Sequence, residues 1–334
     1  MHVSVADLAD GAADPPLLTP EGAVRDPLVT VDLAPAGPAV TARAAQRARA
    51  GDRILIGIGT ADPKLLRALD LTLGTGGPET VDNPAASPDA LREAVARNPH
   101  ASLLLRDVLR TTDGMPVGAA LDVESYAYST LLGGPEFARW LAARPRRPLP
   151  PEVADPVLVA RDAGHLSVTL NRPERRNAFG RQLRDALVDA LSVAAADPGI
   201  TRVTLSGAGP AFCAGGDLAE FGAAPDLATA HLVRTRGGAG RLLHRLAGRV
   251  EARVHGPCVG AGIELPAFAG RVTAHPDATF RLPEVSMGLI PGAGGTVSIP
   301  RRIGRWRTLY MALTGTPVPA ATALAWGLVD GIAP

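Results

Sequence analysis

Over the first forty positions apolar residues come only in short pairs, set among Ala, Pro, Gly and Asp. Such spacing cannot bury a continuous face, so residues 1 to about 38 read as a mobile arm or an extended strap. AVTARAAQRARAGD, Ala39 to Asp52, places basic residues on a mostly Ala background and predicts one helix ended near Gly51. RILIGIGT, Arg53 to Thr60, is a β-branched run of strand length. At Ser87 the period changes. SPDALREAVARN offers a Ser cap, a Pro in the first turn, and Leu91, Ala94 and Val95 at i, i+3 and i+4. HASLLLRDVLRTT, GAALDVESYAYSTLL and GPEFARWLAARPRRP continue that pattern, predicting three or four successive helices over 88–144. PRRPLPPEVADP, Pro145 to Pro156, reads as a proline-rich linker.

From Val157 the pattern alternates between strand and helix. VLVARDAGHLSVTLNRP holds two alternating runs joined at Asp162-Ala163-Gly164, a hairpin by its turn chemistry. ALVDALSVAAADP predicts an amphipathic helix, and ITRVTLSGAG a buried strand running into a Gly turn. This predicts an α/β fold whose site lies on the loops leaving the strands. Three parts follow: an extended or helical arm over 1–50, an α-rich region with one strand over 51–150, and an α/β core over 151–334.

Composition narrows the class. The 334 residues are 46% hydrophobic and 20% charged with a net charge of +1, a soluble globular balance with no electrostatic reason to expect nucleic acid or an anionic membrane. Cys213 and Cys258 fit neither a Cys-x-x-Cys site nor a disulfide scaffold, which predicts buried free thiols in a reducing compartment. The seven His have no metal spacing, so no metal is expected. With no basic and apolar leader and no apolar run of the ~18 residues a span needs, the expectation is a cytoplasmic protein without a membrane contact. Gly57 and Gly59 lack the third Gly and the Lys-Ser/Thr of a phosphate loop.

The chemistry gathers in Val254 to Thr296. There a short apolar run gives way to Gly260-Ala261-Gly262 and then Ile263-Glu264-Leu265, a place for a helix to start. The first turn of a helix has free backbone N–H groups and a positive dipole end, suited to an anionic oxygen, and small residues let a ligand approach closely. Glu284 follows in RLPEVSMG. Two carboxylates beside such a backbone make a general acid and base facing an oxyanion site. Taken alone, a Glu in a helix's first turn equally reads as dipole complementation.

The runs GAGIEL, LPEVSMGLIPGAGGT and LTGTPVPAATALAWGLVD, with LNRPERRNAF and GAGPAFCAGGDLAEF upstream, resemble the crotonase (enoyl-CoA hydratase/isomerase) superfamily in order from Leu170 to Asp330. The resemblance implies a spiral of stacked ββα units. By motif position it puts the oxyanion donors on Gly216 and Ala261, the second a departure, since hydratases typically carry Gly there. It implies coenzyme A lying against the main chain near Ala178, Ala214 and Leu218, with Asp217, Gly260 and Pro283 in the same substrate-binding set. Asp217 reads first as the cap of a helix entered by AGGDLAEF. Arg175 and Arg176 read as phosphate partners or as a solvated loop. Arg301, Arg302, Arg305 and Arg307 read as a solvated or subunit-contact face.

The family's helical segment, which normally follows GLVD, is missing from that place, and NPHASLLLRDVLR, ALDVESYAYSTL and GPEFARWLAARPRRP resemble it instead. The N-terminal helices are therefore expected to replace it, as in a circular permutation. The implied activity is hydration of a 2-enoyl-CoA, with Glu264 orienting and deprotonating water and Glu284 transferring a proton at Cα. Coenzyme A enters as part of the substrate and no separate cofactor is implied. An isomerase, hydrolase or decarboxylase on a CoA thioester and a non-catalytic assembly subunit are the alternatives, and a homo-oligomer, trimer or hexamer, is implied.

Overall fold

In the computed structural model, which describes residues 1–83, 86–145 and 147–334, the N-terminal residues build a sheet. Its elements run β1 (His2–Ser4), α1 (Val5–Ala9), β2 (Leu28–Asp32), α2 (Pro38–Ala50), β3 (Ile54–Ile58), α3 (Pro63–Ala68), β4 (Leu71–Leu73) and β5 (Thr80–Val81). The strands lie in the order β1-β2-β3-β4-β5, every neighbour parallel. Side chains alternate across it. Val29, Val31 and Leu55 join the cluster under α1, α2 and α3, while Leu28, Ile54 and Ile56 face the opposite way into the main core.

This corrects the expected arm over 1–50. Strands of three to five residues give a sparse apolar signal, yet a parallel sheet covered on both faces buries Val3 and the whole run from Leu28 to Val31. Ala44, Ala45 and Ala48 let α2 lie close to the sheet.

Four helices come next: α4 (Pro88–Arg97), α5 (Pro99–Thr111), α6 (Val117–Leu132) and α7 (Pro135–Ala142). Ser87 accepts from the Ala90 amide and caps α4, as its position predicts. Buried Glu136 accepts from the His100 and Ala101 amides at 2.8 and 3.0 Å, binding α7 to the positive end of α5. Of the expected linker, Arg146 lies outside the described residues.

The remaining chain begins with the hairpin of β6 (Val157–Asp162) and β7 (His165–Leu170), which turns at Ala163 with φ +48°. It continues as α8 (Arg181–Ala196), β8 (Arg202–Gly207), α9 (Leu227–Arg236), α10 (Gly240–Arg245), β9 (Val250–Val254), β10 (Pro257–Val259), α11 (Ala261–Glu264), β11 (Arg271–Ala274) and β12 (Thr279–Arg281). It closes with α12 (Gly295–Ser298), α13 (Pro300–Thr314, kinked at Gly304), β13 (Val318–Pro319), α14 (Ala320–Trp326) and β14 (Gly331–Ile332).

A six-stranded sheet runs β14-β11-β9-β8-β7-β6 and a three-stranded one β10-β12-β13. β9 with β10, and β11 with β12, each give one strand to either sheet before a helical turn. These are the stacked ββα units of the crotonase spiral.

Of the arginines expected on a solvated or subunit-contact face, Arg302, Arg305 and Arg307 are half-buried and bind other segments of the chain along a seam, while Arg301 stays exposed. Arg305 donates to the carbonyls of Arg67 and Leu69 at 2.7 and 3.0 Å, Arg307 to those of Thr80 and Gly77, Arg301 to Met115, and Arg302 to Ala267 and Ala269. At the centre of that seam Asp70, fully buried, accepts from the Leu55 amide at 2.9 Å and from Arg110 at 2.6 Å, with Arg106 and Arg305 each at 3.5 Å. Guanidinium forks thus carry carbonyls at the ends of α2 and α3 across to α5 and α13. No helix among the described residues is long and apolar enough to cross a membrane.

Candidate active site

At the end of β10 the chain turns at Gly260, whose φ of +48° and ψ of −118° suit glycine alone. Gly260 donates to the Arg281 carbonyl at 2.9 Å and accepts from the Ile263 and Glu264 amides, so the single turn of α11 starts there. Ala261 is its first residue, and its N–H belongs to the set an α-helix leaves without an internal partner. Space at this turn is filled by carboxylates: a Cβ on Gly260 would stand 2.4 Å from Glu284 Oε1 and 3.5 Å from Glu264 Oε1.

The second amide comes from the preceding unit. Phe179 and Gly216 form a parallel bridge in which the Phe179 amide donates to the Gly215 carbonyl at 2.7 Å and the Asp217 amide to the Phe179 carbonyl at 3.2 Å. Gly216 takes neither bond, so its own N–H faces away from Phe179. α11 presses on the same segment, where a Cβ on Gly262 would meet the Cys213 carbonyl at 2.2 Å. Burial pushes the Cys213 thiol up to about 12, leaving it inert.

Three carboxyl groups converge. Glu264 Oε2 accepts from the Ala293 and Gly295 amides at 2.7 and 2.8 Å. Glu124, from α6, takes the alternate amides: Oε1 accepts from Gly294 at 2.8 Å, and Oε2 from the Thr296 amide at 2.9 Å and its hydroxyl at 2.7 Å. Glu284 Oε2 is buried and accepts from no group among the described residues. Burial raises Glu264 to about 7 against the two amides that favour its charge. Burial, then the neighbouring Glu264 charge, raises Glu124 to about 8 and holds Glu284 well above the usual carboxylate range. Near neutral pH Glu284, whose Oε2 no donor among the described residues reaches, thus keeps its proton beside Glu264, which is poised to lose one, while the three donors from Gly294 and Thr296 favour the charge on Glu124 against its burial.

These groups open on a cavity of about 950 Å³ lined by Gly216, Ala261, Glu264 and Glu284, with Tyr128 and Phe137 from the N-terminal helices. Asp217 lines it too, while Ala178, Ala214, Leu218, Gly260 and Pro283 do not. The helix expected after Asp217 is absent: residues 218–222 form turns, and Asp217 accepts from the Ala219 amide. Its oxygens also bind the Arg175 guanidinium at 2.7 and 3.1 Å.

Sequence reasoning missed Glu124 and Tyr128, one turn apart on α6. The Tyr128 hydroxyl is raised by burial, and the Arg234 guanidinium stands 4.5 Å over its ring. The available signal was a pair of acids, Asp122 and Glu124, in the run ALDVESYAYST, of which only Glu124 is buried. Among the described residues no group of three His, Cys, Asp or Glu side chains is placed to hold a metal ion.

Comparison with known proteins adds the following. Residues 160–334 match the family model described as enoyl-CoA hydratase/isomerase. A 2,3-dehydroadipyl-CoA hydratase of Escherichia coli is 38% identical over 178 residues, 53% of this chain and 69% of that protein. An enoyl-CoA isomerase/hydratase of Mycosarcoma maydis is 34% identical over 51% of this chain and 66% of its own length. Among solved structures, an enoyl-CoA hydratase of Mycobacterium smegmatis superposes with a TM-score of 0.50 at 34% identity, covering 54% of this chain and 70% of that one.

Proposed function

The chain belongs to the enoyl-CoA hydratase/isomerase family, and from that premise we propose that it adds water across the 2,3 double bond of an enoyl-CoA thioester. The observation that carries this reading is the pair of carboxylates against Gly260, 2.4 and 3.5 Å from where a Cβ would stand. Both acids line the cavity, and Glu284 Oε2 accepts from no group among the described residues.

In this reading the thioester oxygen sits between the Gly216 and Ala261 amides. Ionised Glu264 takes a proton from water as the hydroxyl oxygen bonds to Cβ. The π electrons move onto the thioester oxygen as an enolate, held by the two N–H groups at roughly 3 kcal/mol per donor. The enolate collapses as Glu284 delivers its proton to Cα. The hydroxyl is then on Cβ and the Glu284 proton on Cα, with the other proton of the water on Glu264; passage of that proton from Glu264 to Glu284 restores both acids and makes the net change the addition of one water. The Ala261 methyl narrows the space beside the thioester.

We assign α4 to α7 the role of the helices that close the pocket in this family. Support comes from Leu121, Tyr128 and Phe137, which line the same cavity as Glu264. The test is hydration of crotonyl-CoA and longer 2-enoyl-CoAs, followed by loss of the enoyl-thioester absorbance. No turnover at any chain length from folded protein would refute the reading. Double-bond isomerisation is the second reading, favoured by the name of the Mycosarcoma maydis relative. A 3-enoyl-CoA converted without hydration would establish it.

A further inference from the structure

The amides of Ala293 to Thr296 are shared strictly in alternation, the first and third to Glu264 and the second and fourth to Glu124. The segment that supplies them, PGAGGT, runs into the first turn of α12 and has three glycines in five positions from Gly292 to Thr296. Such a backbone has many accessible conformations and does not hold one of them by itself. It is gripped from α6. A Cβ on Gly292 would meet the Tyr128 ring at 2.4 Å, and one turn earlier on that helix Glu124 takes three donors on its two oxygens.

On the other side a Cβ on Gly295 would meet Glu264 Cγ at 2.6 Å, so the loop is pressed between the two acids with no room to shift. Without Glu124 the buried amides of Gly294 and Thr296 would be unpaired, and the loop would rearrange to satisfy them, withdrawing the neighbouring amides from Glu264.

We propose that Glu124 is a positioning residue for Glu264: by fixing the alternate amides of the Gly292–Thr296 loop it sets where the Glu264 carboxylate stands relative to the bound water and Cβ. The consequence for rate rests on the reading of Glu264 as the base. The consequence for the loop does not.

Glu124→Gln keeps the volume but replaces one acceptor oxygen with an NH₂ group, which then faces at least one of the three donors. Displacement of a reacting group by about 1 Å costs on the order of 100-fold, so kcat should fall about 10- to 100-fold with KM changed less than about threefold. Because Glu124 acts through Glu264, Glu124→Gln/Glu264→Gln should be no slower than Glu264→Gln alone, within about threefold. A merely structural role would lower thermal stability and multiply the two losses.

The second readout needs no turnover. Amide hydrogen exchange at Ala293 and Gly295 should rise at least about tenfold in Glu124→Gln and be largely restored in Glu124→Asp, which keeps both oxygens. If Glu124→Gln does not fold, Thr296→Val removes only the hydroxyl donor and should raise exchange at the same two amides. Unchanged exchange there, or losses that multiply in the double variant, overturns the proposal. If the wild type hydrates no enoyl-CoA, the assigned activity fails while the exchange comparison still decides the role of Glu124.

Discussion

Glu264→Gln isolates the proton-transfer role with little change of shape. In the wild type one oxygen, Oε2, accepts both the Ala293 and Gly295 amides, and Oε1 points toward Gly260. A glutamine can place its single oxygen at the Oε2 position, keep both loop bonds, and turn its NH₂ toward the substrate. The only loss is then a base that accepts the water proton. General-base catalysis of this kind is worth about 10²- to 10⁴-fold, or roughly 3 to 5 kcal/mol of barrier.

The pH dependence follows from burial. With Glu264 raised to about 7, its ionised fraction falls below that pH, so wild-type kcat/KM should decline on the acid side of about pH 7. Glu124, Glu284, Tyr128 and Arg234 are the other ionisable groups around it, and none of them is altered in the variant. The assay is kcat and kcat/KM for crotonyl-CoA between pH 5.5 and 9, with the dissociation constant of a saturated acyl-CoA alongside. The variant should be slower by the stated factor, lose the acid limb, and bind the saturated ligand within about threefold of wild type. A rate within threefold of wild type, or an acid limb that survives, would refute Glu264 as the base.

Four other outcomes are expected. Glu284→Gln should cost about 10²- to 10⁴-fold in kcat. Its carboxyl is raised in the fold, so the stability it contributes is present below the ordinary carboxylate range and lost as pH rises; thermal melts should therefore show the variant gaining on wild type at pH 8 but not at pH 4.5. Gly260→Ala, strained by its φ and in collision with Glu284, should lose at least about 100-fold in kcat, whereas Ala261→Gly should keep activity and accept bulkier thioesters; equal rates in the two would contradict the geometry. Asp70→Asn leaves one buried and two partly buried guanidinium groups without their shared anion and should cost about 3 to 5 kcal/mol in urea unfolding, a loss under about 1 kcal/mol counting against the seam. A chain beginning at Val153 should be insoluble or inactive, and one that stays soluble and active would make the N-terminal half an accessory.

The catalytic turn was readable in the sequence because Gly260, which no side chain could replace, stands four residues before one acid and shares a motif-rich stretch with the other. The N-terminal sheet was not. Val3, Val5, Leu8, Val29 and Val31 are all buried, but three- and five-residue strands facing alanine-rich helices leave no long apolar period to detect. The seam arginines were misread for a related reason. Their partners are backbone carbonyls of other segments, and a carbonyl carries no mark in the residue string. Glu124 did leave a mark, as one of a pair of acids in a largely apolar helix, yet its meaning depended on amides far along the chain.

That distance has a kinetic meaning. Glu124 and the loop whose amides it accepts are 170 to 172 positions apart, and closing so long a segment costs on the order of 4 to 5 kcal/mol of chain entropy before any contact repays it. Contacts within the N-terminal sheet and between successive ββα units are far more local and form without that closure. The comb of amides is therefore expected to close late in folding, after the more local contacts, and protection of the Gly294 and Thr296 amides that appeared as early as that of β2 and β3 in pulse-labelled exchange would refute this order. Molecules halted before that closure would carry native secondary structure with no working site.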